Sequence, residues 1–441
     1  MKAAFHTLGC KTNAYETQAV KEQFLKAGYE IGDFSESCDV YVINTCAVTK
    51  EAARKSRQMA GRCKRKNPDA FVVVTGCYAQ EAGEELLSET MADLVVGNSE
   101  KSRIVSLVQE NLPGGLYVRD LRNSRDYETQ EISEQEGHVR AYVKIQDGCD
   151  RFCTYCLIPY LRGRSRSRGY AQILKECQRL ASAGYQEIVL TGIDISSFRI
   201  TDPEESLPGP GRDLARLISQ IERIGGIRRI RLGSLEAGII SEELIQSLKE
   251  AEKFCPQFHL SLQSGCDSVL RRMNRHYTTK EYEQTVGKIR EIFPEAAVTT
   301  DIITGFPGES EEEFAETVAF AERIGFSRLH VFPYSRREGT RADRMPDQLS
   351  KAVKEDRAAR LIAVGEVLRK RYETRLIGKK CEILAEECIC RDEGCFIAGY
   401  TPEYVRVLIP AEQEHPERLV NQILEVIPTD YRDGTLFGRK P

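Results

Sequence analysis

Three times near the amino end of this chain a strand-like run stops at a cysteine. Residues 3–8 run into Gly9-Cys10, residues 39–44 into Thr45-Cys46, and residues 70–74 into Thr75-Gly76-Cys77. Helical patterns separate them, one opening at Asn13 with Glu16 three residues on, in the manner of a capping box, and stopping near Gly28. Strands alternating with helices build a parallel sheet, and ligands of such sheets gather at the carboxyl ends of the strands. The pattern therefore predicts that Cys10, Cys46 and Cys77 meet along one sheet edge. Separate buried thiols are the plainer alternative, since cysteine is often a small core residue.

Length and composition narrow the class. At 441 residues the chain is long enough for two or three domains. With 41% apolar and 29% charged residues in regular alternation it is neither a disordered tail nor a membrane protein. The longest apolar stretch, 70–77, is far shorter than the ~20 residues of a spanning helix. Residues 1–11 lack the apolar core of a secretory leader, so a cytoplasmic protein with no membrane partner is expected. Fifteen cysteines in a chain of this size point away from a disulfide framework and toward metal or redox chemistry.

The segment after the first strands divides by character. Residues 114–137, entered through Pro113-Gly114-Gly115, are polar and aperiodic, as a linker would be. The expected domains are 1–113, 138–373 and 374–441. The middle one offers six strand candidates (141–146, 187–191, 229–233, 259–262, 298–303 and 329–333), each followed by a helical stretch. Six such units suggest a partial (β/α) barrel rather than an open sheet, two arrangements that spacing alone does not separate. A long helix over about 350–375 follows, then short alternating runs at 381–384, 395–399, 405–409 and 421–427 that read as a small all-β barrel. The fold class is α/β.

At the end of the first strand of the middle domain stands Cys149-Asp150-Arg151-Phe152-Cys153-Thr154-Tyr155-Cys156, spaced C-x3-C-x2-C. Three thiolates on one short loop can hold three irons of a four-iron cubane and leave the fourth open to a small ligand. A zinc site needs a fourth protein ligand, and neither His nor Cys follows closely enough to supply it.

This loop, with Gln146-Asp147-Gly148 before it and Leu157 through Arg168 after it, resembles the radical S-adenosylmethionine (SAM) enzymes, and among them the methylthiotransferases. So do Leu190-Thr191-Gly192, Leu260-Ser261-Leu262-Gln263-Ser264-Gly265 and the run Asp301 to Glu309. The resemblance covers nearly the whole chain. It implies a (β/α)6 radical SAM barrel between an N-terminal parallel-sheet domain and a C-terminal barrel like the RNA-binding TRAM module. It also implies two [4Fe-4S] clusters, one on Cys149, Cys153 and Cys156 and an auxiliary one on Cys10, Cys46 and Cys77. SAM would serve as radical source and as methyl donor, with an electron donor such as flavodoxin or ferredoxin. Tyr155 resembles the aromatic residue near the SAM adenine, and Gly192, Gln263 and Asp301 fall where the cofactor is expected. Gly192, Gly305 and Gly308 follow strands where a cofactor could lie, although a glycine there is more often a plain tight turn.

Methylthiotransferases act on adenosine derivatives beside the tRNA anticodon or on an aspartate of a ribosomal protein. Arg162, Arg164, Arg166 and Arg168, with the basic helix over 50–66, favour a polyanionic substrate. The net charge of −4, and nine Lys and Arg against twelve Asp and Glu after residue 373, speak the other way. The arginine run looks most like the branch acting on N6-threonylcarbamoyladenosine, whose carboxylate an arginine could pair. Isopentenyladenosine tRNA and the ribosomal aspartate are the alternatives. Cys38, Cys63, Cys177, Cys255 and Cys266 read as structural, and Cys381, Cys388, Cys390 and Cys395 as an unusual spacing with room for a metal. The six histidines show no ligand pattern.

Overall fold

The computed structural model describes residues 1–47, 50–110, 114–391, 394–411 and 415–441. Pro113, at the head of the expected linker, lies outside the described residues, as does the side chain of Lys50. Among the strands of the first domain, the central Val40–Thr45 and Phe71–Gly76 are rich in β-branched residues and buried at every position but Phe71, as strands covered on both faces must be. The strands of this domain pair in parallel in the order Glu30–Ile31, Lys2–Thr7, Val40–Thr45, Phe71–Gly76, Leu94–Val96, Gly115–Tyr117. The chain thus runs from Lys2–Thr7 to a neighbour on one side and then to one on the other. That reversal is the switch point beside which open parallel sheets bind ligands, and Cys10 and Cys46 stand there.

Two details differ from expectation. Gly115–Tyr117, inside the segment read as linker, is the outermost strand of this sheet; three residues beginning with glycine are too few to show a period. The helix expected to open at Asn13 spans Lys11–Lys26 with Cys10 at its cap position and no side-chain cap. Glu16 is buried inside that helix rather than folded back on its start.

Arg140–Lys144, Glu187–Thr191, Arg229–Leu232, Gln257–His259, Ala297–Thr304 and Arg328–Pro333 are parallel and neighbour one another in chain order. Isolated bridges at Ile230–Phe254 and Leu235–Leu260 join the two halves. Among the described residues the first and last strands do not pair, so the six strands form an open, partial barrel. Helix Lys11–Lys26 packs along its first strand and adds Tyr15 and Ala19 to its core. The last helix, Lys351–Glu373, starts at a Ser350 cap whose hydroxyl accepts from Val353 N–H.

Five strands then close a small barrel in the order Cys381–Arg391, Gly394–Tyr400, Arg406–Pro410, Thr435–Arg439, Ile423–Arg432. It caps the amino ends of the large barrel's strands. Arg229, first in its strand, donates to the Tyr400 carbonyl at 2.8 Å, and Arg140, first in its own, pairs with Glu386 at 2.9 Å. Cys390 and Cys395 face each other across the first hairpin and are joined by a disulfide. This takes two of the four late cysteines out of any metal set. Opposed residues of a hairpin bring their Cβ atoms close whatever their spacing in sequence.

Candidate active site

The parallel sheet delivers its three cysteines to one edge. Cys10 caps helix Lys11–Lys26 and is exposed, Cys46 follows strand Val40–Thr45, and Cys77 opens the helix Cys77–Glu81. Gly9 makes the first approach possible: its φ is +107°, and a Cβ there would lie 3.1 Å from the Cys46 sulfur.

The contiguous set is held by the barrel. Cys149 N–H donates to the Gly163 carbonyl at 3.1 Å and Thr154 N–H to Met273 at 3.0 Å, which anchors the loop at both ends. Arg275 Nη1 donates to the Cys153 sulfur at 3.3 Å while its Nη2 holds Glu236 at 2.6 Å. Burial pushes the Cys156 thiol up to about 12, with Cys153 adding to it and Cys77 among the neighbouring thiols. Burial and then Asp194 raise Cys149 strongly. Such thiols ionise only against a strong positive partner.

The two sets meet across a buried network of charges. Arg162 donates through Nε to the Cys77 sulfur at 3.4 Å, through Nη1 to Glu16 at 2.7 Å and Asp147 at 3.1 Å, and through Nη2 to Asn13 at 2.7 Å. Lys144 bridges the same carboxylates at 2.6 and 2.9 Å, and Lys101 adds a close contact to Glu16. Burial opposes ionisation of Glu16, but Arg162, Lys101 and Lys144 outweigh it and hold the carboxyl well below its usual range. One carboxylate from the N-terminal helix and one from the edge of the cysteine loop thus fix the domains to each other.

This network overturns the expectation for the arginine run. Arg162 and Arg168 are fully buried and Arg166 nearly so. Arg166 pairs with Asp147 at 2.9 Å and Arg168 with Glu176 at 2.6 Å. Only Arg164 reaches the surface, paired with Asp150 at 3.0 Å and lying over Phe152. Three of the four cannot touch a substrate. The basic helix Lys50–Lys66 does present its charge to solvent, through Arg54, Lys55, Arg57, Arg62, Arg65 and Lys66.

A cavity of about 520 Å³ lies where the three domains meet. Cys10 and Lys11 line it from the first domain, Gly192, Arg231, His259, Asp301 and His330 from the barrel, and Tyr404 from the last domain. Two of the four expected cofactor residues, Gly192 and Asp301, are therefore on its wall. A Cβ on Gly192 would press on the Gln146 carbonyl at 2.8 Å, so a side chain there would displace the strand that leads into the cysteine loop. Asp301 Oδ2 accepts from His259 Nε2 at 3.2 Å. Tyr155 instead packs against Cys266, Val269, Phe306 and Tyr334, and Gln263, at φ +74°, ties its strand to Asp301 through the backbone. Neither lines this cavity. Gly305 and Gly308 are positive-φ turns away from it. A smaller cavity of about 180 Å³ borders Cys153, with Arg151, Ser196, Glu236, Asn274 and Arg275 on its wall.

Sequence reading missed Lys11, Arg231, His259 and His330. None belongs to a motif, although Lys11 adjoins a singled-out cysteine. Among the described residues no three Cys, His, Asp or Glu side chains converge on a point suited to a single metal ion. A cubane takes its three thiolates at three separate corners and needs no such convergence.

Comparisons with known proteins agree with this architecture. The family model of the radical SAM superfamily matches residues 143–321, which defines the class of the barrel. An uncharacterised family, UPF0004, matches residues 2–97. The threonylcarbamoyladenosine tRNA methylthiotransferase MtaB of Bacillus subtilis is 40% identical over 98% of this chain and 95% of its own. Its counterpart in Aquifex aeolicus is 40% identical over 88% of this chain and 93% of its own. The tRNA-2-methylthio-N(6)-dimethylallyladenosine synthase of Clostridium perfringens is 34% identical over 88% and 87%. The chain belongs to the radical SAM methylthiotransferase family. A radical SAM methyltransferase from Kitasatospora setae, TsrM, solved with cobalamin and a [4Fe-4S] cluster, covers 77% of this chain and 73% of its own with a TM-score of 0.56. At 14% identity that likeness concerns the fold alone.

Proposed function

We propose that this enzyme methylthiolates C2 of N6-threonylcarbamoyladenosine beside the anticodon of tRNA, with Cys149, Cys153 and Cys156 holding a radical-generating [4Fe-4S] cluster and Cys10, Cys46 and Cys77 a sulfur-delivering one. The observation that carries the reading is that the strand-end cysteines and the cysteine loop are tied together by Arg162, which reaches Cys77 on one side and Asp147 at the loop's edge on the other, with Cys10 opening onto a cavity large enough for a nucleoside. Each set is one ligand short of closing a cubane, as a reactive iron requires. The relatives named for threonylcarbamoyladenosine support the substrate.

When bound, the clusters and SAM supply a 5′-deoxyadenosyl radical that removes the C2 hydrogen and a methylthio group that replaces it. The chain's own residues seat this chemistry. Arg162 and Arg275 aim N–H donors at Cys77 and Cys153, where sulfur charge collects. Outside the three-domain cavity, the exposed cations of helix Lys50–Lys66 and the small C-terminal barrel offer surfaces for the tRNA. A cytoplasmic enzyme drawing electrons from a carrier such as flavodoxin or ferredoxin fits this reading. Among the described residues no helix is long and apolar enough to cross a membrane.

The test is anaerobic reconstitution with iron and sulfide, then incubation with SAM, a reductant and tRNA bearing N6-threonylcarbamoyladenosine, with mass analysis of the hydrolysed nucleosides. Gain of one methylthio group, lost in Cys149→Ala and in Cys10→Ala, is expected. Reaction only on isopentenylated tRNA would move the substrate to that of the Clostridium relative. Absence of SAM cleavage would overturn the enzyme reading.

A further inference from the structure

The cavity beside Cys10 has two cations on its wall that pair with no acid among the described residues, and one of them adjoins that cysteine. Its charged lining comprises Lys11, Arg231, Arg328, Asp301, Glu373 and Glu403. Arg231, Asp301 and Glu373 have partners, whereas Arg328 and Glu403 make no ion pair and no side-chain hydrogen bond among the described residues. Arg231 pairs through Nε with Glu187 at 2.8 Å, donates to the Pro402 carbonyl at 2.8 Å and lies over the Tyr404 ring. Asp301 is engaged by His259 at 3.2 Å, and Glu373 lies 3.8 Å from Arg369. Lys11 makes no ion pair and no side-chain hydrogen bond among the described residues. The charges that act on it are Arg140 and Arg231, both repulsive, and Glu187, which Arg231 already holds.

Lys11 is exposed, and the space it opens onto is this cavity. Its backbone keeps it there. It is the first residue of helix Lys11–Lys26 and follows Cys10, whose position is locked by Gly9 against Cys46. The cation is therefore fixed beside the sulfur-delivering thiols, on the wall of the cavity that would take the nucleoside. The arginines that could have met a substrate carboxylate, Arg162, Arg166 and Arg168, are buried against Glu16, Asp147 and Glu176.

We propose that Lys11 is the specificity-determining cation that pairs with the carboxylate of the threonylcarbamoyl group, the feature an isopentenyl substituent lacks. This rests on the substrate reading above. A charge-assisted pair forms only with the acid, so a neutral analogue leaves the ammonium unanswered and is rejected.

The experiment compares anticodon stem-loops carrying N6-threonylcarbamoyladenosine as the free acid and as its methyl ester, on the cluster-loaded enzyme. Wild type is expected to favour the acid about 10- to 100-fold in kcat/KM, mainly through KM, and by a similar ratio in equilibrium binding without reductant. In Lys11→Gln both ratios fall to near one, and Lys11→Arg restores a preference for the acid. Because each ratio is taken within one preparation, partial folding or loading of a variant does not enter it. An unchanged acid-to-ester ratio in Lys11→Gln overturns the proposal, as does loss of the ratio in Arg328→Gln instead. A wild type that modifies isopentenylated tRNA and neither analogue overturns the substrate reading itself, and this inference with it.

Discussion

Two stretches of this chain are strongly basic and have opposite fates. The run Arg162 to Arg168 is almost wholly interior, each buried guanidinium met by a carboxylate more than a helical turn away in sequence. Helix Lys50–Lys66 faces water, with Arg54 on Glu51 its clearest internal pair. Charge density along a sequence is thus a poor guide to substrate contact. What decides is whether the fold brings acids to the cations. Around Arg162 it brings Glu16 and Asp147 and makes the arginine a bolt between domains, whereas over most of the helix it brings none and leaves a surface for a polyanion.

The largest effect expected from this contrast is at Glu16. Glu16→Gln leaves Lys101, Lys144 and Arg162 buried with one fewer anion among them, which should cost about 3–5 kcal/mol in a denaturant titration and loosen the two domains. A loss below about 1 kcal/mol would show that water reaches the network and that the run is not truly interior. On the exposed side, replacing Lys55, Arg62 and Arg65 by Gln should change stability by no more than about 0.5 kcal/mol. The same triple variant should weaken tRNA binding and make its log–log salt dependence shallower by about one unit for each phosphate it no longer neutralises. An unchanged salt slope would mean that this face does not meet the tRNA backbone.

The smallest effect concerns a charge between these extremes. Burial lifts the Glu373 carboxyl from its ordinary 4.5 to about 7, against the opposing pull of Arg369 and Arg328. The folded state therefore holds the proton more tightly than the unfolded one. The stability this contributes is complete below about pH 4.5 and is lost as pH rises through 7. Glu373→Gln should raise Tm by about 1–3 °C at pH 8 and by little at pH 5, as calorimetry at both values would reveal. A gain at pH 5 as large as at pH 8 would argue against titration as its cause.

What the sequence determined by itself is whatever is encoded in neighbouring residues or in a regular period. The eight-residue loop from Cys149 to Cys156 carries its C-x3-C-x2-C spacing on its face. Cys10, Cys46 and Cys77 were legible despite their separation, because parallel strands end at a common edge whatever lies between them. The six barrel strands announced themselves in the same way, by period and length. Gly115–Tyr117 did not, for three residues are too few to show alternation. Only the tertiary structure decided which charges are buried and which cation is left over. Glu16 looked like a capping residue until the barrel placed Lys144 and Arg162 beside it, and Lys11 gained meaning only when the three domains formed a cavity with its ammonium on the wall and no acid among the described residues paired to it. Whether a charge is paired depends on groups that meet through folding, from positions more than a hundred residues apart, and no local pattern records that meeting.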